Sequence, residues 1–474
     1  SNNKDQIYVN KKLFELSNEF EIPYIITTDT HYLKKEDRAI HKAYLNAQNG
    51  DREVDDFYAT TYLMDTEELE SYFGYFSQEQ LQISYRNILK IKDMCGDYSL
   101  LKPLYIPQLP WKEPKISYVQ NCWIERIPYL KTFVESGYVG DRALACMIVE
   151  ALEDGPQELW NQRTWDEVNA CLEMTWISSN VNKAHWSAYY LNLQRISEEC
   201  WKACTLVGPG RGSGVGFILL YLLNITQINP LQETTKTFRW RFLNPDRVSV
   251  LDVDVDIEGG RRAEVLNHLR KVYGDNRVSN VATFRQEKSK SAILTACRGL
   301  GVDVDIASYL ASLIPSDRGL LRTLSQCMYG DTENDWKPIK QFVYEMTENY
   351  PEVWEVAQKI EGLICGYGIH AGGVIFVDEP FTNSTGLMRA PDGTIITAFD
   401  LHACEDVSLI KYDLLSVEAL DKIHNCLDLL VDYGYVKKRN TLKETYESVI
   451  GIYNLERTAP DMWKMVWDHK ITSL

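Results

Sequence analysis

A chain of 474 residues with 45% apolar and 11% aromatic residues has ample material for packed cores, and its length makes two to four domains the starting expectation. The net charge of −17 speaks against a protein that coats nucleic acid through overall basicity. The longest uninterrupted apolar run, Phe217–Leu223, is far too short to span a bilayer, no basic-then-apolar leader opens the chain, and the eleven scattered cysteines include no Cys-x-x-Cys pair. The expectation is therefore a cytoplasmic protein with free thiols and no membrane partner. Ser1-Asn2-Asn3 lacks an initiator Met and Ser473-Leu474 ends without a terminating feature, as expected of a piece of something longer.

Val9, Leu13, Leu16 and Phe20 fall at helical spacing, and Tyr24 to Ile26 then read as a strand ending at Thr28-Asp29-Thr30-His31, a helix-strand unit of an α/β domain. Asp65 with Glu68 and Ser77 with Gln80 have capping-box spacing and predict two further helices. Pro103, Pro107, Pro110 and Pro114 crowd a segment that neither helix nor sheet interior tolerates, which predicts a domain boundary there. Helical patterns fill 118–204, and Val207–Gly216 is a glycine loop opening a buried helix over the apolar run. Val248–Ile257 alternates strictly as a strand, 261–273 is an amphipathic helix, and Val278–Phe284 is another strand. Helical patterns occupy 289–363, strands return at Gly373–Val377 and Ser408–Asp413, and Leu420, Ile423, Leu427 and Leu430 mark one face of a last helix. A helical insertion thus interrupts a sheet formed from about 205–285 and 365–415.

Within the acidic chain, 236–298 carries thirteen Lys and Arg against eight Asp and Glu, a local reversal suited to a phosphate backbone or to a solvated helical face. Inside it, Asp252, Asp254 and Asp256 share one face of a strand whose other face is aliphatic. Like charges at that spacing repel unless a cation neutralises them, and hard oxygen donors select Mg²⁺ or Mn²⁺. The loop Gly208-Pro-Gly-Arg-Gly-Ser213 lets backbone amides approach a phosphate, with Arg211 adding charge and Ser213 at a helix start. It is not a Walker loop, and a plain tight turn is the alternative. Lys411 and Asp413 point to one side of a strand, as a functional pair or a surface ion pair, and His370-Ala-Gly-Gly373 is either a ligand contact or a structural loop. Together these elements describe nucleotidyl transfer: carboxylate-held metals activate a 3′-hydroxyl while the glycine-serine loop holds a triphosphate.

In order and spacing, Gly208–Ser213, Arg241-Phe-Leu-Asn-Pro-Asp-Arg247 and the Asp-x-Asp-x-Asp strand resemble the palm of the bacterial DNA polymerase III alpha subunit, the family C replicative polymerases. Thr283-Phe284, Lys290, Arg298, Gly368–Val374 and Lys411–Leu415 are similar to later blocks of that family, and Ile22–Tyr32 to the end of its PHP domain. The resemblance covers 205–435 most strongly. It implies palm metal ligands at Asp254, Asp256 and Asp413, triphosphate contacts at Arg211, Gly212, Ser213 and Lys411, and DNA contacts at Arg285, Lys288, Lys290, Arg298 and His370. It also implies part of a PHP metal site at Asp29 and His31, the remaining ligands lying upstream. The implied cofactors are two Mg²⁺ ions, with Mn²⁺ as substitute, and Zn²⁺ or Mn²⁺ in a complete PHP domain. The implied partners are primed template DNA, dNTPs, and a sliding clamp and other replisome subunits bound through regions absent here. Leu251 where the family has Pro, and Ala296 where it has Asp, fit a divergent, phage-encoded member.

The expected fold is multidomain, α/β and α+β: a partial PHP-like α/β domain over 1–110, a nucleotidyltransferase-type palm with a mixed sheet over 111–285 and 365–435, a helical thumb inserted at 286–364, and the truncated start of the fingers over 436–474. The competing readings are a non-catalytic nucleic-acid-binding scaffold derived from such a palm, and a nucleotidyl transferase acting on another substrate.

Overall fold

The computed structural model describes residues 4–49, 57–109, 111–232, 238–246, 251, 253–317, 320–383, 385–450 and 460–470. Lys236, Arg247 to Val250, Asp252 and the Ser473-Leu474 end lie outside the described residues. The chain divides into two compact units, one of Ser1–Tyr98 with Phe284–Gly366 and one of Ser99–Thr283 with Tyr367–Leu474. The helical segment after 284 groups with the N-terminal residues.

In the first unit both capping boxes form. Asp65 accepts from the Glu68 amide at 2.9 Å, and Gln80 Oε1 accepts from the Ser77 amide at 2.7 Å, starting the helices Thr66–Tyr72 and Gln78–Met94. The expected strand at Tyr24–Ile26 does not form. Side chains of the Gln78–Met94 helix take its polar groups: Ser84 Oγ accepts from the Ile26 amide and Asn87 donates to the Tyr24 carbonyl. A strand needs a neighbouring backbone as partner, and here side chains replace it. The helices Arg38–Asn49 and Ser289–Leu300 approach so closely that a Cβ on Gly299 would collide with the Ala43 carbonyl oxygen. Because that neighbour is backbone, it cannot swing aside. Gly299→Ala is therefore expected to destabilise this unit by about 1–3 kcal/mol, read as an earlier urea midpoint.

The core of this unit gathers Ile293, Ala296, Leu310, Phe342, Met346 and Ala357, consistent with the helical reading of 289–363. A short antiparallel hairpin, Ser316–Asp317 with Leu320–Leu321, interrupts that stretch and was not anticipated. In chain order these strands are β3 and β4. The others are β1 (Asp254–Glu258), β2 (Val278–Gln286), β5 (Ile364–Phe376), β6 (Leu387–Arg389), β7 (Ile395–Thr397) and β8 (Lys411–Val417).

Six strands form one mixed sheet in the order β1-β8-β5-β2-β7-β6. β1 and β8 are parallel with Asp254 opposite Asp413, and β5 runs antiparallel to β8 with Gly373 opposite Asp413. Strands from before and after the helical stretch thus share one sheet. β8 starts later than the expected Ser408 because Ser408, at φ 67°, turns the chain and bonds through Oγ to the Pro103 carbonyl and the Tyr105 amide. The proline-rich segment is thereby strapped to the second unit. Beneath the sheet, the helices Val139–Glu153, Gln162–Asn182 and Trp186–Lys202 bury Trp186, Tyr189, Tyr190 and the whole Phe217–Leu223 run.

Candidate active site

β1 alternates half-buried Asp254 and Asp256 with buried Val255 and Ile257, so one face is acidic and the other joins the core. Register puts Asp413 of the adjacent strand beside Asp254. The charges are compensated by two cations. Arg211 Nε donates to Asp256 Oδ1 at 2.9 Å, its second nitrogen bonds the same oxygen, and Nε lies 3.8 Å from Asp254. Lys411 Nζ lies 2.5 Å from Asp413 Oδ2, with the two side chains only 14% and 7% exposed, so this is not a surface ion pair. Its bond to Asp256, followed by the fields of the neighbouring carboxylates, holds Arg211 above its ordinary pKa.

The glycine loop is fastened at its base and open at its tip. Val207 bridges Ile257 antiparallel, the Gly208 amide donates to the Asp256 carbonyl at 2.9 Å, and Gln227 caps the Val207 carbonyl. A Cβ on Gly208 would sit 2.7 Å from Asp256 Cβ, so only glycine permits this approach. Gly210 and Gly212 take φ of 102° and 66°, which turns Arg211 toward the carboxylates. Arg211 and Gly212 are exposed and Ser213 is half-buried. Contrary to expectation, Ser213 does not start the buried helix. It precedes a single 3₁₀ turn, Gly214–Gly216, and makes no side-chain cap, because Gly216 closes the turn onto the Ser213 carbonyl before the five-residue helix Ile218–Leu222 begins.

His370 Nδ1 accepts from the Gly373 amide at 2.8 Å and the Gly372 amide at 3.3 Å, so this nitrogen is taken up by the backbone of β5. Arg262, which sequence reading passed over, donates to the Leu414 and Gly372 carbonyls and ties β8 to β5. Burial lowers its pKa. Tyr189 was also missed. It stacks on Tyr412 with ring centroids 5.4 Å apart and donates to the Leu251 carbonyl, fixing the approach to β1. Doubled arginines after an acidic strand were the only sequence signal for Arg262, and nothing local announced Tyr189.

In the first unit, Arg285, Lys288 and Arg298 line a cleft of about 600 Å³ with Ser291, Thr295 and Glu287. Lys290 is half-buried and does not line it. The same unit holds Asp29 and His31, whose side chains meet at 3.2 Å; His31 and His41 both lie against Tyr58. Burial, then the His31 charge, lowers the pKa of His41.

A mixed sheet with three carboxylates on neighbouring strands beside a glycine loop is consistent with a polymerase palm-like domain. The family model of the bacterial DNA polymerase III alpha NTPase domain matches residues 147–416, and the chain belongs to that family. It is 38% identical over 481 residues to the probable DNA polymerase YorL of Bacillus subtilis (strain 168), and equally to a DNA-directed DNA polymerase of Bacillus phage SPbeta. Each alignment takes in 99% of this chain and 37% of the relative. The DNA polymerase III subunit alpha of Thermus aquaticus is 28% identical over 457 residues, 88% of this chain and 36% of that protein. The chain thus spans little more than a third of the length of these relatives.

DNA polymerases of this family generally use divalent metal ions. Among the described residues no group of three His, Cys, Asp or Glu side chains is gathered closely enough to hold one. The donor chemistry nevertheless fits: hard carboxylate oxygens on paired strands, their repulsion offset by Arg211 and Lys411 in the places where cationic charge is needed. Asp29 and His31 supply two donors, fewer than a closed site requires.

Proposed function

We propose that the chain is the catalytic core of a DNA polymerase, extending a primer 3′-hydroxyl with dNTPs on template DNA. The observation that carries this reading is the pairing of Asp254 with Asp413 across β1 and β8, with Arg211 of the glycine loop bonded to Asp256 between them. Asp254, Asp256 and Asp413 would hold a pair of Mg²⁺ ions, or Mn²⁺ in their place, which when bound activate the hydroxyl and stabilise the leaving pyrophosphate. Arg211 releases Asp256 and, with Lys411, Gly212 and Ser213, takes the triphosphate; the positive φ of Gly210 and Gly212 lets the backbone come close. Lys411 orients Asp413 through their 2.5 Å ion pair. The test is primer extension by the full-length protein with Mg²⁺ and with a chelator. Extension that survives chelation would overturn the metal assignment.

The cleft of the first unit, lined by Arg285, Lys288 and Arg298, supports a DNA-backbone contact inside an otherwise acidic chain. Arg285→Ala combined with Lys288→Ala is expected to make the dependence of log affinity on log salt shallower by about two, at about 0.9 per phosphate contact. Fluorescence anisotropy with primed DNA at several salt concentrations checks this, and an unchanged slope would remove both residues from the interface. Lys290→Ala should change it less, since that side chain does not line the cleft. His370 would serve DNA binding through its hold on the β5 backbone. The domain reading, with PHP-like, palm, thumb and fingers segments at the expected bounds, belongs to the same proposal, as do a Zn²⁺ or Mn²⁺ ion at a complete PHP site containing Asp29 and His31, and a sliding clamp and replisome subunits bound by the longer protein. Among the described residues no helix is long and apolar enough to cross a membrane.

A further inference from the structure

Glu258 continues the alternation of β1 two residues beyond Asp256, yet it is 2% exposed. Oε1 accepts from the Leu206 amide at 2.6 Å and lies 2.8 Å from His424 Nδ1, and Oε2 lies 3.4 Å from Arg261 Nε. The Glu258 amide in turn donates to Thr205 Oγ1 at 3.2 Å. Past the Val207–Ile257 bridge, side chains therefore complete the pairing between β1 and the segment leading into the glycine loop. His424 sits on the helix Glu418–Asp432, which directly follows β8, and Asp421 of that helix accepts from the Gly259 and Gly260 amides at 2.9 and 3.1 Å. Three chain segments converge on this point: the strand bearing Asp254 and Asp256, the helix after the strand bearing Asp413, and the stem of the loop bearing Arg211 and Ser213.

We propose that Glu258 is a positioning residue that sets the register of the glycine loop against the metal-binding strands, and so fixes where the incoming triphosphate lies. The inference rests on the reading of Asp254, Asp256 and Asp413 as metal ligands and of the loop as the triphosphate holder. A buried carboxylate is costly unless each oxygen is satisfied, and an apolar side chain would fill a merely structural position. Here the carboxylate replaces a missing backbone acceptor for Leu206, two residues before Gly208. Without it, the Leu206 amide loses its partner, and the loop stem keeps the Gly208 bond, the Gln227 bond to the Val207 carbonyl and the Thr205 hydroxyl.

Single-nucleotide incorporation by the full-length protein tests this. Glu258→Ala is expected to raise the KM for the incoming nucleotide about tenfold while kcat stays within about threefold, with DNA affinity unchanged. Glu258→Gln keeps an oxygen for the Leu206 amide and should bring KM back to within about threefold of the parent. Thr205→Val, nearly isosteric, removes the other half of the exchange and should raise KM in the same direction even where Glu258→Ala fails to fold. Unchanged KM in the folded Ala and Val variants, or no rescue by Gln, would overturn the inference. Asp254→Asn measured alongside separates the two levels. Incorporation that persists in it defeats the metal reading and this inference together. Incorporation lost in it, with KM unmoved by the Ala and Val variants, defeats the positioning role alone.

Discussion

Asp254→Asn in the full-length protein is expected to abolish nucleotide incorporation, by about 10³-fold or more, because an anionic metal ligand is worth several kcal/mol of transition-state stabilisation. The substitution keeps shape and removes charge. Asp254 is the best carboxylate for this test because its cationic neighbour, Arg211, is 45% exposed and regains water when the charge is lost, so thermal stability should hardly move. Asp413→Asn should abolish activity equally, but it also breaks the largely buried ion pair with Lys411, which costs about 3–5 kcal/mol. The pair of variants therefore separates chemistry from folding. Loss of incorporation in both, with stability lost only in the second, assigns the carboxylates to catalysis. Full activity in Asp254→Asn would leave the acidic strand as a structural feature and favour the non-catalytic scaffold. Anisotropy on primed DNA should show affinity within about threefold of the parent, since neither aspartate lines the cleft proposed to meet the DNA backbone.

The elements that sequence reading found are those whose signal is local. Alternation from Asp252 to Ile257 announces a half-acidic strand, and glycines at 208, 210 and 212 announce a loop that no other residue could form. Capping boxes at Asp65 and Ser77 likewise need only four residues each. What was missed depends on residues far apart in the chain. Nothing local in the sequence marks Glu258, and the fold brings the Leu206 amide and His424 to its carboxylate. Tyr24–Ile26 has the composition of a strand, but Ser84 and Asn87 supply the hydrogen bonds that a neighbouring strand would have made. The close seating of Gly299 on Ala43 joins segments some 250 residues apart, which no periodicity encodes. Ser213 was misplaced for a subtler reason. A glycine-serine sequence before an apolar run has the composition of a helix start, yet Gly214 and Gly216 spend the turn on a 3₁₀ segment first.

Arg211→Ala should reduce kcat/KM for the incoming nucleotide by about 10²–10³-fold, the range for losing one charged donor at a site of developing negative charge. A second consequence distinguishes this residue from an ordinary substrate contact. Arg211 bonds Asp256 through two nitrogens and lies 3.8 Å from Asp254, so it competes for the oxygens that a divalent ion would use. Removing it relieves that competition, and the Mg²⁺ concentration for half-maximal DNA-dependent activity should fall even as the maximal rate drops. Arg211→Lys should recover part of the nucleotide affinity as a point charge while losing the forked contact, and its Mg²⁺ requirement should lie between those of the parent and the alanine variant. Titrating Mg²⁺ at saturating nucleotide for the three proteins checks this ordering. A Mg²⁺ requirement that rises on removal of Arg211 would mean that the guanidinium organises the carboxylates for the metal instead of holding their place, and the exchange of Arg211 between carboxylate and triphosphate would have to be abandoned.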